Sequence, residues 1–141
     1  TSALSQADYI VICPGDLYTS IIPVLLPEGV KDAITHSKAK IIVMLNIMTK
    51  KGETDNYTAT DFIETIEKHL GRKADYVISN SAHIPEEILL KYSLEQKVEL
   101  GLLNATEDSR IIEAPLALIT EEDQILSSPV EIKKVLEPIL V

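Results

Sequence analysis

The sequence predicts an α/β fold, a Rossmann-like three-layer sandwich with a mainly parallel sheet. Three observations carry this reading. Short apolar runs at residues 9–13 (YIVIC), 40–46 (KIIVMLN) and 75–79 (DYVIS) alternate with segments of helical periodicity. The runs are continuous rather than alternating, as expected of strands covered on both faces. Each ends in a polar or turn-forming loop, at 14–16, 46–56 and 80–83, and in a parallel sheet such loops share the carboxyl rim where ligands bind.

The elements follow in order. The chain is expected to open almost directly on the core strand 9–13, closed by Pro14 and Gly15. A helix begins at about Leu17, kinked or ended by Pro23, which has no amide to donate. A second short helix covers 30–37, and the buried strand 40–46 follows. The clearest helix runs over 58–70. Thr58 and Asp61 make a Thr-x-x-Asp capping box, Gly71 is the C-cap, and Ala59, Phe62, Ile63, Ile66 and Leu70 share one face. The strand 75–79 ends in Asn80, and Pro85, Glu86 and Glu87 read as the first turn of a helix reaching about Tyr92. Weaker strand signals lie at 98–100, 110–113 and 117–120. Ser128, Pro129 and Glu131 start a last capped helix, whose apolar face is Ile132, Val135, Leu136 and Ile139.

The composition narrows the function. The 141 residues suit one domain with a single core. Thirteen basic against 22 acidic residues give a net charge of −9, which disfavours nucleic-acid binding by counterion release. A small anionic ligand is still compatible, because backbone amides and helix N-termini bind phosphate without a basic surface. No apolar run reaches the ~18 residues of a membrane span, and the opening TSALSQADY lacks the basic stretch of a signal peptide. A single cysteine, Cys13, builds no disulfide framework, so a cytoplasmic location is expected. At the end of a buried strand, Cys13 reads as an inert small hydrophobe. The five glycines, Gly15, Gly29, Gly52, Gly71 and Gly101, form no G-x-G-x-x-G cluster. Either this domain binds no dinucleotide, or the part that would do so lies upstream.

Two segments concentrate groups that bind ligands. In the turn Pro14-Gly15-Asp16-Leu17-Tyr18-Thr19-Ser20, glycine permits close backbone approach and the helix start adds amides and hydroxyls. Asp16 offers three readings: it caps the helix, it repels a phosphate on the same amides, or it holds a sugar hydroxyl or magnesium ion. The second segment, 48–58, is a long loop carrying Thr49, Gly52, Glu53, Thr54, Asp55 and Asn56 at the same rim; a solvated loop of turns and caps is the plainer reading, and the loop's excess length favours a functional one. His36, His69 and His83 lie too far apart in sequence for a zinc motif. No nucleophile-base arrangement stands out.

The residues Ala7-Asp8-Tyr9-Ile10-Val11-Ile12, followed by Pro14-Gly15-Asp16-Leu17-Tyr18-Thr19-Ser20-Ile21-Ile22-Pro23, resemble the CofD-like family, once called UPF0052. Asn46-Ile47-Met48-Thr49, Gly52-Glu53-Thr54-Asp55 and Tyr57-Thr58-Ala59-Thr60-Asp61 resemble one branch of it, the YvcK-type gluconeogenesis factors. The resemblance is specific from about residue 2 to residue 92 and looser beyond, and its position implies that residues 1–141 are the C-terminal part of a single CofD-like domain whose glycine-rich half lies upstream. It implies a cytoplasmic factor needed for cell shape and growth on gluconeogenic carbon sources, binding UDP-N-acetylglucosamine and with no catalytic residue assigned. It also implies a ligand site at Gly15, Asp16, Leu17, Thr19 and Ser20, at Asn46, Met48, Thr49, Gly52, Glu53, Thr54 and Asp55, and at Tyr92. Partners would then be a phosphorylated or nucleotide-sugar ligand, with magnesium as a companion ion; a separate reading is a structural half-domain that forms a homodimer through its truncated edge. The other branch, 2-phospho-L-lactate transferase of deazaflavin biosynthesis, differs in the second loop and is the alternative. Two departures stand out. Cys13 replaces the family's usual glycine, and Ser127 and Ser128 lie where sugar-binding members carry an arginine. Loss of that cation would remove a charge-assisted bond of about 1.5–3 kcal/mol.

Overall fold

The computed structural model describes residues 2–94 and 108–141. Four strands, β1 (Tyr9–Ile12), β2 (Lys40–Met44), β3 (Tyr76–Asn80) and β4 (Ile111–Ala114), lie side by side in that order, with every neighbouring pair parallel. Helices α1 (Ser2–Gln6), α2 (Ile22–Leu25), α3 (Val30–His36), α4 (Ala59–Leu70) and α5 (Glu86–Leu94) precede β4. An antiparallel hairpin of β5 (Ala117–Ile119) and β6 (Ile125–Ser127) follows it and leads into α6 (Pro129–Leu136). Among the described residues no helix is long and apolar enough to cross a membrane.

The two-residue repeat of a strand explains the layering. From β2, Ile41 and Val43 join one core cluster, with Ile34 of α3, Leu25 of α2 and Phe62, Ile66 and Leu70 of α4. Ile42 and Met44 turn to the other face, where Ile132, Val135 and Leu136 of α6 cover them. Helices thus close both faces, as expected. A third cluster under the carboxyl rim joins Ile47 to Ile84 and Ile88, with Tyr92 and Ile125 packed on it.

Helix α4 forms as its sequence dictates. Thr58 accepts from the Asp61 amide and the Asp61 carboxylate accepts from the Thr58 amide, 2.7 Å away. Gly71 ends the helix at φ +80°, and a Cβ there would sit 2.5 Å from the Thr35 hydroxyl, so glycine is required on both counts.

Several expectations need correction. The chain begins with a short helix, α1, rather than directly with a strand. This helix is too short to show periodicity and is fixed partly by the Ser37 hydroxyl donating to the Leu4 carbonyl at 2.9 Å. In β1 only Ile10 is buried, because the strand lies at an edge of the described sheet. Cys13 is exposed: it falls just past the last rung of the ladder. Pro23 does not end its helix. Residues Leu17–Ile21 form a wider π-helical turn, in which the Ile22 amide donates to the Leu17 carbonyl, and α2 continues from it. The wider turn precedes the proline, whose ring crowds the carbonyl four residues back in an ordinary helix. The hairpin partner β6 had no sequence signal, and the strand expected at 98–100 lies outside the described residues.

At the amino ends of the strands Arg110 fastens three elements. Its guanidinium donates to both Asp108 oxygens, to Glu67 of α4 and, at 3.0 Å, to the Ala74 carbonyl before β3. Glu67 also accepts from the Ala74 amide at 2.8 Å. Hydrogen bonding from Arg110 holds the Asp108 carboxyl below the usual carboxylate range, against the opposing effect of burial.

A depressed folded pKa stabilises fully above the unfolded value near ~3.9 and is lost as pH falls through the folded value. We expect Arg110→Ala to cost about 2–3 kcal/mol in urea unfolding at neutral pH. The stability gap between the native chain and Asp108→Asn should narrow as pH drops from about 5 towards 2. A gap that stays constant over that range would contradict this.

Candidate functional site

The carboxyl rim is built on one side chain. Beyond the last rung between β1 and β2, the Gly15 amide donates to Asn46 Oδ1 at 3.1 Å, and Asn46 Nδ2 donates back to the Gly15 carbonyl at 2.8 Å. An amide side chain carries both a donor and an acceptor, so asparagine can pair with a backbone unit as another strand would. Asn80, the last residue of β3, plays a similar part at its own rim. Its Oδ1 accepts from the amides of Ala82 at 3.1 Å and Ala117 at 2.8 Å, which pins the start of the β5–β6 hairpin.

Asp16 has the extended backbone of an N-cap (φ −61°, ψ 124°), yet its side chain makes no cap hydrogen bond. Its carboxylate pairs with Lys50 Nζ. The carboxylate that serves the helix start comes from Glu53. Its Oε1 accepts from the Thr19 hydroxyl at 2.9 Å and its Oε2 from the Tyr18 amide at 3.4 Å. Capping by Asp16, one of the sequence readings, is thus replaced by capping from 35 residues away.

The second loop folds around Thr54, which is 1% exposed. Its hydroxyl accepts from the Lys50 amide at 2.8 Å and its amide donates to the Lys50 carbonyl at 2.9 Å. Gly52, at φ +75°, turns so that its amide donates to Asp55 at 2.7 Å. Tyr57 meets the Tyr18 hydroxyl at 2.6 Å and rests edge-on against Phe62, with ring centres 5.7 Å apart.

These contacts leave an open cleft of about 370 Å³ over the carboxyl ends of the strands. Asp16 and Lys50 form one side, and residues 46–49 form the base. The far wall is Tyr92 of α5 with Ile125 and Ser127 of β6, joined where the Tyr92 hydroxyl accepts from the Ile125 amide at 2.9 Å.

Of the residues expected from the sequence, Asp16, Asn46, Met48, Thr49 and Tyr92 line this cleft. Gly15 and Ser20 instead line a neighbouring apolar groove beside β1 and Val24. Leu17 is 1% exposed and belongs to the core. Thr19, Gly52, Glu53, Thr54 and Asp55 shape the turn and the loop. Lys50, Ile47 and Ile125 also line the cleft, although the sequence did not single them out. For Lys50 the signal was present: a cation beside Thr49 at the rim of an acidic chain.

Among the described residues, no three His, Cys, Asp or Glu side chains converge as they would around a metal ion. His36 and His69 turn back to carbonyls of their own helices, each at 2.8 Å, and His83 is exposed. From the described residues the cleft thus offers one cation, its counter-ion, hydroxyls, an aromatic ring and apolar walls. That chemistry suits holding a ligand with both an anionic and a flat part.

The family model for 2-phospho-L-lactate transferase CofD matches residues 1–125. A protein of Thermotoga maritima is 45% identical over 93 residues, which cover 66% of this chain and 30% of that protein. The gluconeogenesis factor of Bacillus subtilis is 41% identical over 93 residues, covering 65% of this chain and 29% of that protein. The chain spans about a third of the length of these curated relatives. The crystal structure of a UPF0052 family member from Bacillus halodurans superposes with a TM-score of 0.85 at 34% identity, over 99% of this chain and 45% of that one.

The Asn46 pairing generates a direct test. Asn46→Ala removes both bonds to Gly15, so we expect a loss of about 1–3 kcal/mol and faster hydrogen exchange at the Gly15 amide. Unchanged exchange at Gly15 would show that the two loops are held together by something else.

Proposed function

This chain belongs to the CofD family, and on that footing we propose that it is a gluconeogenesis-factor-type regulator that binds a nucleotide sugar, such as UDP-N-acetylglucosamine, in the strand-end cleft. The observation that carries the reading is the convergence of Asp16, residues 46–50 and Tyr92 on one cleft from three separate elements. The names of the relatives in Bacillus subtilis and Listeria innocua, both gluconeogenesis factor, favour this reading over a transferase. The cleft's chemistry is compatible with it. Tyr92, Ile47, Met48 and Ile125 offer surfaces for a base or sugar ring, and the Lys50–Asp16 end suits a phosphate.

The proposal extends to the whole protein: residues 1–141 form the C-terminal part of a single larger domain, acting in the cytoplasm in the control of cell shape and of growth on gluconeogenic carbon. The chain acts there through ligand-dependent binding, with magnesium as a companion of the diphosphate.

In calorimetry with UDP-N-acetylglucosamine, with and without magnesium, we expect saturable binding at one site per chain. Ligand at a hundredfold excess over Kd should add about 2.7 kcal/mol to stability and raise Tm accordingly. No heat and no shift in Tm would remove the reading. Turnover of a nucleotide-activated phospholactate with a deazaflavin acceptor would replace it with the transferase.

A further inference from the structure

Lys50 is the one cation lining the cleft among the described residues. Its backbone is fixed on both sides by the buried Thr54, through the Lys50 amide and the Lys50 carbonyl. Its side chain is 44% exposed and is held at the cleft by Asp16 rather than extended into solvent. An ammonium has three donors. Asp16 engages one, which leaves two for a ligand.

We propose that Lys50 is the specificity-determining residue of the cleft, the group that selects ligands bearing a phosphate or diphosphate over uncharged ones; this rests on the ligand-binding reading above. The long-range field of the chain opposes such ligands, since its net charge is −9. Lys50 must therefore offset that field locally, through the two ammonium donors that its pairing with Asp16 leaves over. The backbone amides at the helix start do not do this freely, because Glu53 already serves the Tyr18 amide. A lysine ammonium is charged at neutral pH in any case, and the hydrogen bond to Asp16 favours the charged form further. Asp16 then acts as a positioning residue: it presents the lysine and does not itself meet the anion.

The test compares the native chain with Lys50→Gln and Lys50→Arg, titrated with UDP-N-acetylglucosamine, UDP, uridine and inorganic pyrophosphate at several salt concentrations. Lys50→Gln should weaken the charged ligands by about 10- to 100-fold, flatten the salt dependence of their affinity, and leave uridine unaffected. Lys50→Arg should retain most of the affinity. Thermal unfolding of each variant separates loss of binding from loss of fold. Lys50-dependent binding of pyrophosphate without binding of UDP-N-acetylglucosamine would uphold the lysine's role and remove the nucleotide-sugar reading. Native-like affinity and salt dependence in Lys50→Gln would overturn the inference while leaving that reading intact. So would binding that disappears with EDTA but not with the substitution, because the anion would then be held by a metal on Asp16. If the native chain binds none of these anions, both fall.

Discussion

The reciprocal pairing of the Asn46 side chain with the Gly15 backbone is the constraint on which the site depends. Backbone ladders hold a parallel sheet together only as far as the strands run, and beyond them each chain is free to leave in its own direction. Asn46 carries the pairing past the end of β1 and β2, and Asn80 ties the rim after β3 to the hairpin. The base is stiff because β2 is buried on both faces, with Ile41, Ile42 and Val43 at 0% exposure. Two loops from separate strands and a hairpin from later in the chain thereby meet around one cleft.

Both carboxylates at the helix start are already engaged. Glu53 takes the helix-start position that an incoming anion would otherwise occupy, and Asp16 faces Lys50. An anion is therefore not received by bare amides, as in glycine-rich phosphate loops. On the proposed reading it is met by Lys50, whose backbone is tied to Thr54 and whose head group is paired with Asp16. The arrangement accounts for an acidic residue in the turn and for the length of the second loop, which must bring both Lys50 and Glu53 back across Asp16 and Thr19.

Much of the fold was legible because it is written locally. The apolar run of β2, the capping box and C-cap glycine of α4, and the capped start of α6 are each decided within about a dozen residues. The features that escaped are too short or too distant. Helix α1 has five residues and β6 three, below the length at which periodicity speaks. The partners of Asp16 and Glu53 escaped for a different reason. Local capping rules favour the nearest carboxylate, whereas the partners that decide the matter lie 34 and 35 residues away. Thr54 and Asp55 were legible as residues of an important loop, but whether such residues face a ligand or build the loop depends on its folded path.

The proposed ligand site is the cleft at the carboxyl rim. Backbone-amide NMR of the protein titrated with UDP-N-acetylglucosamine tests it most directly. Shifts should cluster at Asp16, Asn46, Thr49, Lys50, Tyr92 and Ile125, drawn from all three walls of the cleft. Shifts confined to the opposite rim around Glu67, Ala74 and Arg110, or no shifts at saturating ligand, would contradict it.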